Sequence, residues 1–269
     1  MVELKLQNIT LGYRQNVVVK GMTLEMNPGE MLGLVGPNGC GKSTIIRALS
    51  RVISPYSGSI LLNGQDISRI PRRDLARLIG VVPQMPLLPS TFTTFEIVLM
   101  GRNPHLGLPQ YQGPKDIDIA WQAMGQTSMQ HLAQRRISEL SGGEIQSVVI
   151  ARVLAQQTQA MLLDEPTANL DIGRQVEILD LIKGLCRRDK LTVVVALHDL
   201  NLAAQYCDRL VLIDNGRVHS EGKPGEVINA DNIRKVYGSG SHIYSHPLSG
   251  LPVVLPTAGS SKQGEVDAG

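Results

Sequence analysis

Hydrophobic and polar positions alternate at the start of the chain. Val2, Leu4 and Leu6 fall on every second residue, as do Met22, Leu24 and Met26 before the turn Asn27-Pro28-Gly29. That period predicts strands buried on one face, hence an antiparallel β region near the N-terminus. Residues 58–62 lead into Asn63-Gly64, a pair that tolerates positive φ and favours a tight hairpin. Further on, apolar residues run without alternation at 31–35, 79–82, 160–163, 192–196 and 210–213. Runs of that length and character suit parallel strands covered on both faces. Between two of them, Val176, Leu179 and Ile182, then Ile178, Leu181 and Leu185, recur at helical spacing. Strands alternating with helices predict an α/β core around a mainly parallel sheet, with any ligand at the carboxyl ends of the strands.

This rhythm breaks after residue 86. Buried-strand runs are missing there, and polar, helix-compatible sequence dominates around 116–134. We read about 86–157 as a helical subdomain inserted into a domain spanning 1–230. Residues 231–269 form a C-terminal extension. From Gly238 it is rich in Gly, Ser and Pro, and its extreme end, GSSKQGEVDAG, has the composition of a disordered segment.

Composition narrows the function. The 269 residues are 42% hydrophobic and carry a net charge of +2, so neither nucleic acid nor an acidic surface is an expected partner. Arg69, Arg72, Arg73 and Arg77 cluster, and read as a solvated helix face. Cys40, Cys186 and Cys207 are odd in number and widely spaced, which disfavours a disulfide framework or zinc site and suits a reducing cytosol. The N-terminus, charged at Glu3 and Lys5, does not read as a signal peptide. No apolar run approaches the roughly 20 residues of a membrane helix. Work at a membrane would therefore need another chain to span it.

Three segments carry chemistry. The first is Gly36-Pro37-Asn38-Gly39-Cys40-Gly41-Lys42-Ser43-Thr44, a G-x-x-x-x-G-K-[ST] loop between a buried run and a helix-capable stretch. Its glycines let backbone N–H groups converge on phosphate oxygens, the helix start adds positive potential, Lys42 a point charge and Ser43 an oxygen for Mg²⁺. The second is the run at 160–163 ending in Asp164-Glu165. There Asp164 can hold Mg²⁺ and Glu165 can orient or deprotonate an attacking water. The third, Leu140-Ser141-Gly142-Gly143-Glu144, opens a helix and makes a second anion-binding turn.

Together these segments make the chain resemble the ATP-binding cassette family of transport ATPases, over roughly residues 1–230. The resemblance implies a P-loop NTPase (RecA-like) core, with ATP and Mg²⁺ as cofactors. Further matches follow in order: Tyr13 as the aromatic stacking on adenine, Gln84 as the glutamine that senses Mg²⁺ and meets the membrane partner, Ala168-Asn169-Leu170-Asp171 as the loop crossing the dimer interface, and His198 as the histidine touching the γ-phosphate. One departure stands out, since Ile145 and Ser147 occupy places where the family usually has basic residues.

The resemblance also implies a dimer. Each ATP would sit between residues 36–44 of one copy and Ser141, Gly142 and Gly143 of the other. Within the family, the segments 99–105, 197–203 and 222–227 look like importers of ferric siderophores, haem and cobalamin. Such importers pair two cassettes, peripheral on the cytoplasmic face of the membrane, with two transmembrane permease subunits and, indirectly, a substrate-binding protein. Another transporter class, or a soluble non-transport cassette ATPase, is the alternative.

Overall fold

The computed structural model describes residues 2–107, 111–168, 170–238 and 241–256. Strands β1 (Leu4–Tyr13) and β2 (Asn16–Met26) open the chain, and β3 (Met31–Val35) feeds the phosphate loop and helix α1 (Lys42–Leu49). Strands β4 (Ser57–Leu62) and β5 (Gln65–Asp66) precede α2 (Arg72–Leu78) and β6 (Ile79–Val82). Helices α3 (Thr94–Leu99), α4 (Pro114–Gln126) and α5 (Gly142–Ala155) separate β6 from β7 (Ala160–Asp164). Then α6 (Ile172–Asp189), β8 (Thr192–Ala196), α7 (Leu200–Tyr206), β9 (Arg209–Asp214) and β10 (Arg217–Gly222) follow. The described chain closes with α8 (Pro224–Val227), α9 (Ala230–Tyr237), β11 (Ser241–Ser245) and β12 (Pro252–Pro256).

The N-terminal alternation becomes a four-stranded antiparallel sheet in the order β2-β1-β4-β5. Asn63 and Gly64, with φ of 50° and 79°, make the turn between β4 and β5 that their sequence predicts. The continuous apolar runs form a six-stranded sheet, β10-β9-β3-β8-β7-β6, parallel except for β10, which pairs antiparallel with β9.

Both faces of that sheet are covered, which explains its runs. Leu32, Leu34, Leu162, Val194, Val211 and Ile213 point into one core with Ile45, Ile46 and Leu49 of α1 and the antiparallel sheet. Their neighbours Met31, Val35, Leu163, Val195 and Leu212 point into a second core under α6 and α7. Each such buried aliphatic side chain contributes roughly 1.5–3 kcal/mol relative to exposure, so the two cores dominate the stabilisation.

Helices α3, α4 and α5 form a third core around Ile97, Val98, Ala120 and Met124. Helix α5 joins it to the sheet: Val148, Ala151 and Ala155 face the third core, and Val149, Ile150 and Val153 the second. The α2 arginines depart from a purely solvated face. Arg73 and Arg77 donate to the Pro104 carbonyl at 2.9 and 2.8 Å, tying α2 to the helical region.

Residues 241–256, within the Gly- and Ser-rich tail, fold as the β11–β12 hairpin. The disordered end expected for the tail falls on 257–269, outside the described residues.

Candidate nucleotide site

Sheet order brings the chemistry together. Strand β3 leads into the phosphate loop, and β8, β7 and β6 lie beside it in that order. Parallel register sets Leu34 opposite Ala196, Asp164 opposite Ala196, and Val82 opposite Leu163. The loop, Glu165, His198 and Gln84 therefore all emerge at the same carboxyl edge.

The loop needs its first glycine. Gly36 has φ of 146°, and a Cβ there would sit 2.2 Å from the Ile213 carbonyl oxygen. Helix α1 then starts at Lys42 with neither a side-chain cap nor an acidic residue in its first turn. Its leading N–H groups lack intrahelical acceptors by the geometry of any helix start, and face the cleft as an anion site. Lys42 is buried, and its Nζ donates to the Gly36 carbonyl at 2.6 Å and the Pro37 carbonyl at 3.1 Å. Cys40 is also buried, with Sγ 3.9 Å from Lys42 Nζ, and desolvation pushes its thiol up.

Across the cleft, Ser43 Oγ donates to Asp164 Oδ1 at 2.8 Å. Glu165 follows in the left-handed region, with φ of 52°, and its N–H donates to the Ala196 carbonyl at 3.2 Å. That turn aims the carboxylate sideways. Gln84 Nε2 donates to Glu165 Oε2 at 2.5 Å, and His198 Nε2 lies against Oε1. Three strand ends thus pin one nearly buried carboxylate. Tyr13, 39% exposed, closes the other end, its hydroxyl accepting from Arg47 Nη1 at 3.1 Å.

Tyr13, Asn38, Gly39, Gly41, Lys42, Ser43, Thr44, Gln84, Glu165 and His198 line one open cleft of about 430 Å³. Gly36 and Pro37 lie on its outer rim with Asn38 and His198. Among the described residues no cluster of three His, Cys, Asp or Glu side chains marks a metal site. The Ser43 hydroxyl and Gln84 amide line the cleft, and the buried Asp164 carboxylate stands behind Ser43; all three offer hard oxygen donors. Such a small set fits Mg²⁺, which keeps waters and takes its remaining ligands from phosphate oxygens.

Ser141, Gly142 and Gly143 stand apart from this cleft. Ser141 caps α5 reciprocally with Glu144: Glu144 Oε2 accepts from the Ser141 N–H at 2.7 Å and the hydroxyl at 2.8 Å. Those hydrogen bonds hold the Glu144 carboxyl below its ordinary range. Ser147, at one of the unusual positions, is buried and donates to the Gly143 carbonyl at 3.1 Å. Asn169 lies outside the described residues. Sequence reasoning missed Arg47, the partner of Tyr13, and Tyr237, which rests on the outer rim of the phosphate loop. The helical run after Lys42 places Arg47 one turn on; Tyr237 has no such signal.

A phosphate loop after β3 of a parallel sheet, with an Asp-Glu pair at the end of β7 two strands away, defines a nucleoside-triphosphatase of the P-loop class. Residues 19–168 match the ABC transporter family, and the chain belongs to it. Its part in that family is the ATP-binding subunit, an ATPase. It is 38% identical over 256 residues to the ferric enterobactin transport ATP-binding protein FepC of Escherichia coli (strain K12), covering 95% of this chain and 94% of the relative. A solved transporter described as of the metal-chelate type, in an inward-facing conformation, superposes with a TM-score of 0.81 at 27% identity, over 95% of this chain and 97% of the other. The ATP-binding cassette MJ0796, solved as a dimer in a post-hydrolysis state with ADP and Pi, superposes with a TM-score of 0.74 at 28% identity, over 82% and 98%. Among the described residues no helix is long and apolar enough to cross a membrane.

Proposed function

We propose that two copies of this chain clamp ATP between them and use its hydrolysis to power uptake of a metal chelate through two separate permease subunits. A ferric siderophore, haem or cobalamin is the cargo class, supported by the relative named for ferric enterobactin transport and the neighbour of metal-chelate type. The subunit sits peripherally on the cytoplasmic face of the membrane, and a substrate-binding protein delivers cargo to the permease. Residues 1–230 act as the cassette, with about 86–157 as the insertion and 231–269 as the extension.

Lys42 and the amides of 36–44 hold the β- and γ-phosphates, where they stabilise charge on the transferring phosphoryl group. Tyr13 stacks on the adenine. Ser43, Asp164 and Gln84 would hold Mg²⁺, which when bound neutralises phosphate charge. Glu165 orients and deprotonates the attacking water, and His198 contacts the γ-phosphate. Ser141, Gly142 and Gly143 of the second copy cover the same phosphates. They are absent from the cleft of one chain, which supports a site completed in trans. Loss of the γ-phosphate removes the partner of the trans contacts, so hydrolysis reopens the dimer. Gln84 and residues 85–95, with Met85 and Leu87 at 83% and 98% exposure, carry that motion to the permease.

The observation that carries this reading is the Glu165 carboxylate held between Gln84 and His198 at the mouth of the phosphate loop. Glu165→Gln keeps the shape and removes the base. It is expected to dimerise with MgATP on size-exclusion chromatography while turnover falls by about 10²–10⁴-fold. Near-normal turnover in that variant would take Glu165 out of the role of base, and a monomer with MgATP would refute the clamp.

A further inference from the structure

Helix α9 ends at Tyr237, whose side chain borders the outer side of the phosphate loop. Tyr237, Gly36, Pro37, Asn38 and His198 line a shallow pocket of about 490 Å³. The Gly36 amide lies close enough to the phenol oxygen to favour its ionised form, though burial dominates and pushes the phenol up. Lys42 grips the same arm of the loop from within, through the Gly36 and Pro37 carbonyls. The arm 36–38 is therefore held on two sides.

Behind Tyr237 the support continues. Helix α9 packs on β11, which pairs with β12, and β12 lies on α7. There the Val254 N–H donates to Asn201 Oδ1 at 2.7 Å, and Asn201 Nδ2 donates back to the Val254 carbonyl at 3.2 Å. Val236, Ile243 and Val254 pack on the core beneath. Helix α7 begins at Leu200, capped by Asp199, directly after His198. One appended unit thus borders the phosphate loop at one end and the first turn of α7, three residues after His198, at the other.

We infer that α9 and the β11–β12 hairpin brace the nucleotide site: Tyr237 sets the 36–38 arm for ATP, and the Asn201–Val254 pair fixes α7 and with it His198. Tyr237 and Asn201 are positioning residues, and the inference rests on the site reading given above. A loop freed of its ring support spends less time in the conformation that binds, and apparent affinity falls by the fraction lost. A helix freed at its start disturbs γ-phosphate contact and leaves binding intact.

Titration of the full-length protein with a fluorescent ATP analogue, steady-state ATPase assays and thermal melts test this together. Tyr237→Ala is expected to weaken nucleotide binding about fivefold, and Tyr237→Phe to restore it to within about twofold. Asn201→Ala is expected to lower kcat about fivefold with Kd unchanged. Wild-type affinity in Tyr237→Ala, or wild-type kcat in Asn201→Ala, with only Tm lowered, would reduce the unit to a stabilising appendage and overturn the brace. Lys42→Ala in the same titration separates the two levels. Binding lost there but intact in Tyr237→Ala sinks the brace alone, whereas binding retained in Lys42→Ala sinks the site reading itself.

Discussion

The sheet core and the helical insertion are built on different principles. The core that carries the cleft is held by two apolar layers whose side chains alternate strictly along each parallel strand. The polar groups of its cleft gather at the carboxyl edge of the sheet, where Ser43 meets Asp164 and Gln84 meets Glu165. The insertion has a small apolar core of its own, is joined to the sheet through α5, and adds directional polar contacts within itself and to α2 and β6. Arg102, buried, donates to Asp116 at 2.9 Å, to the Ala155 carbonyl at 2.8 Å and to Gln157 Oε1 at 3.0 Å. Arg73 and Arg77 hold Pro104, His105 meets the Gln156 carbonyl at 2.8 Å, and Gln156 reaches back to the Ile79 carbonyl at 3.3 Å. Apolar layers resist shear through close packing over a wide area, whereas a few aimed hydrogen bonds specify one orientation. The phosphate grip therefore belongs to the sheet core, and the Ser141 turn to the tip of α5, the helix that packs against both regions.

Removing one of those contacts is the strongest way to break the contrast. Arg102→Ala leaves Asp116 and the Ala155 carbonyl without their partner, and should cost about 3–5 kcal/mol in denaturant unfolding while ATP affinity changes little. The pairing also holds the Asp116 carboxyl below its ordinary range. Its contribution is full above the normal carboxylate pKa and is lost as pH falls through the depressed one. Equal losses of stability and ATP affinity would show that the two regions are not separable.

Tyr13→Ala probes the core side. The ring is exposed, so stability should hold, while ATP affinity drops by about 1–3 kcal/mol if the ring stacks on adenine. Isothermal titration with ATP and with inorganic triphosphate sharpens the point, since only ATP binding should suffer. Equal weakening of both would place Tyr13 on the phosphates instead.

The smallest effect concerns alkali. All three cysteines are buried in the sheet cores, and desolvation pushes Cys186 up to about 11 and Cys207 up to about 12. Their folded-state pKa values lie above the unfolded ones, so their contribution is complete below about pH 8.5 and is lost as pH rises through the folded values. Stability should fall by about 1–2 kcal/mol per thiol near pH ~10, and Cys207→Ala should flatten that slope. Thiol alkylation of the native protein should be slow near neutrality for the same reason, and faster for Cys40 than for Cys207. A melting curve independent of alkaline pH would contradict the burial of these thiols.

Much of the core was legible because its signals are local. Unbroken apolar runs reflect a sheet covered twice, and Asn63-Gly64 encodes its own turn. The phosphate loop reads directly, since its backbone shape demands those glycines. Helix α5 was legible from its Ser141 start, but its place between two cores was not, because apolar residues on both faces blur the helical period. The aim of Glu165 was not legible, since its left-handed φ follows from the β7–β8 junction and not from its own preference. The arginines of α2 misled because a charged face looks the same whether it meets water or a carbonyl at Pro104. Tyr237 stands about 200 residues from Gly36 along the chain, and only the folded sheet edge brings them together.

Helix α5 begins at the Ser141 cap and runs 14 residues between two apolar cores, a rod of roughly 20 Å. A rod gripped along its length cannot bend where it is touched. Any object that engages the glycine turn at its tip must move the whole lever or nothing. The fulcrum is the seam with β6, the strand whose far end carries Gln84. A displacement of the tip is therefore expected to be accompanied by a shift of that glutamine.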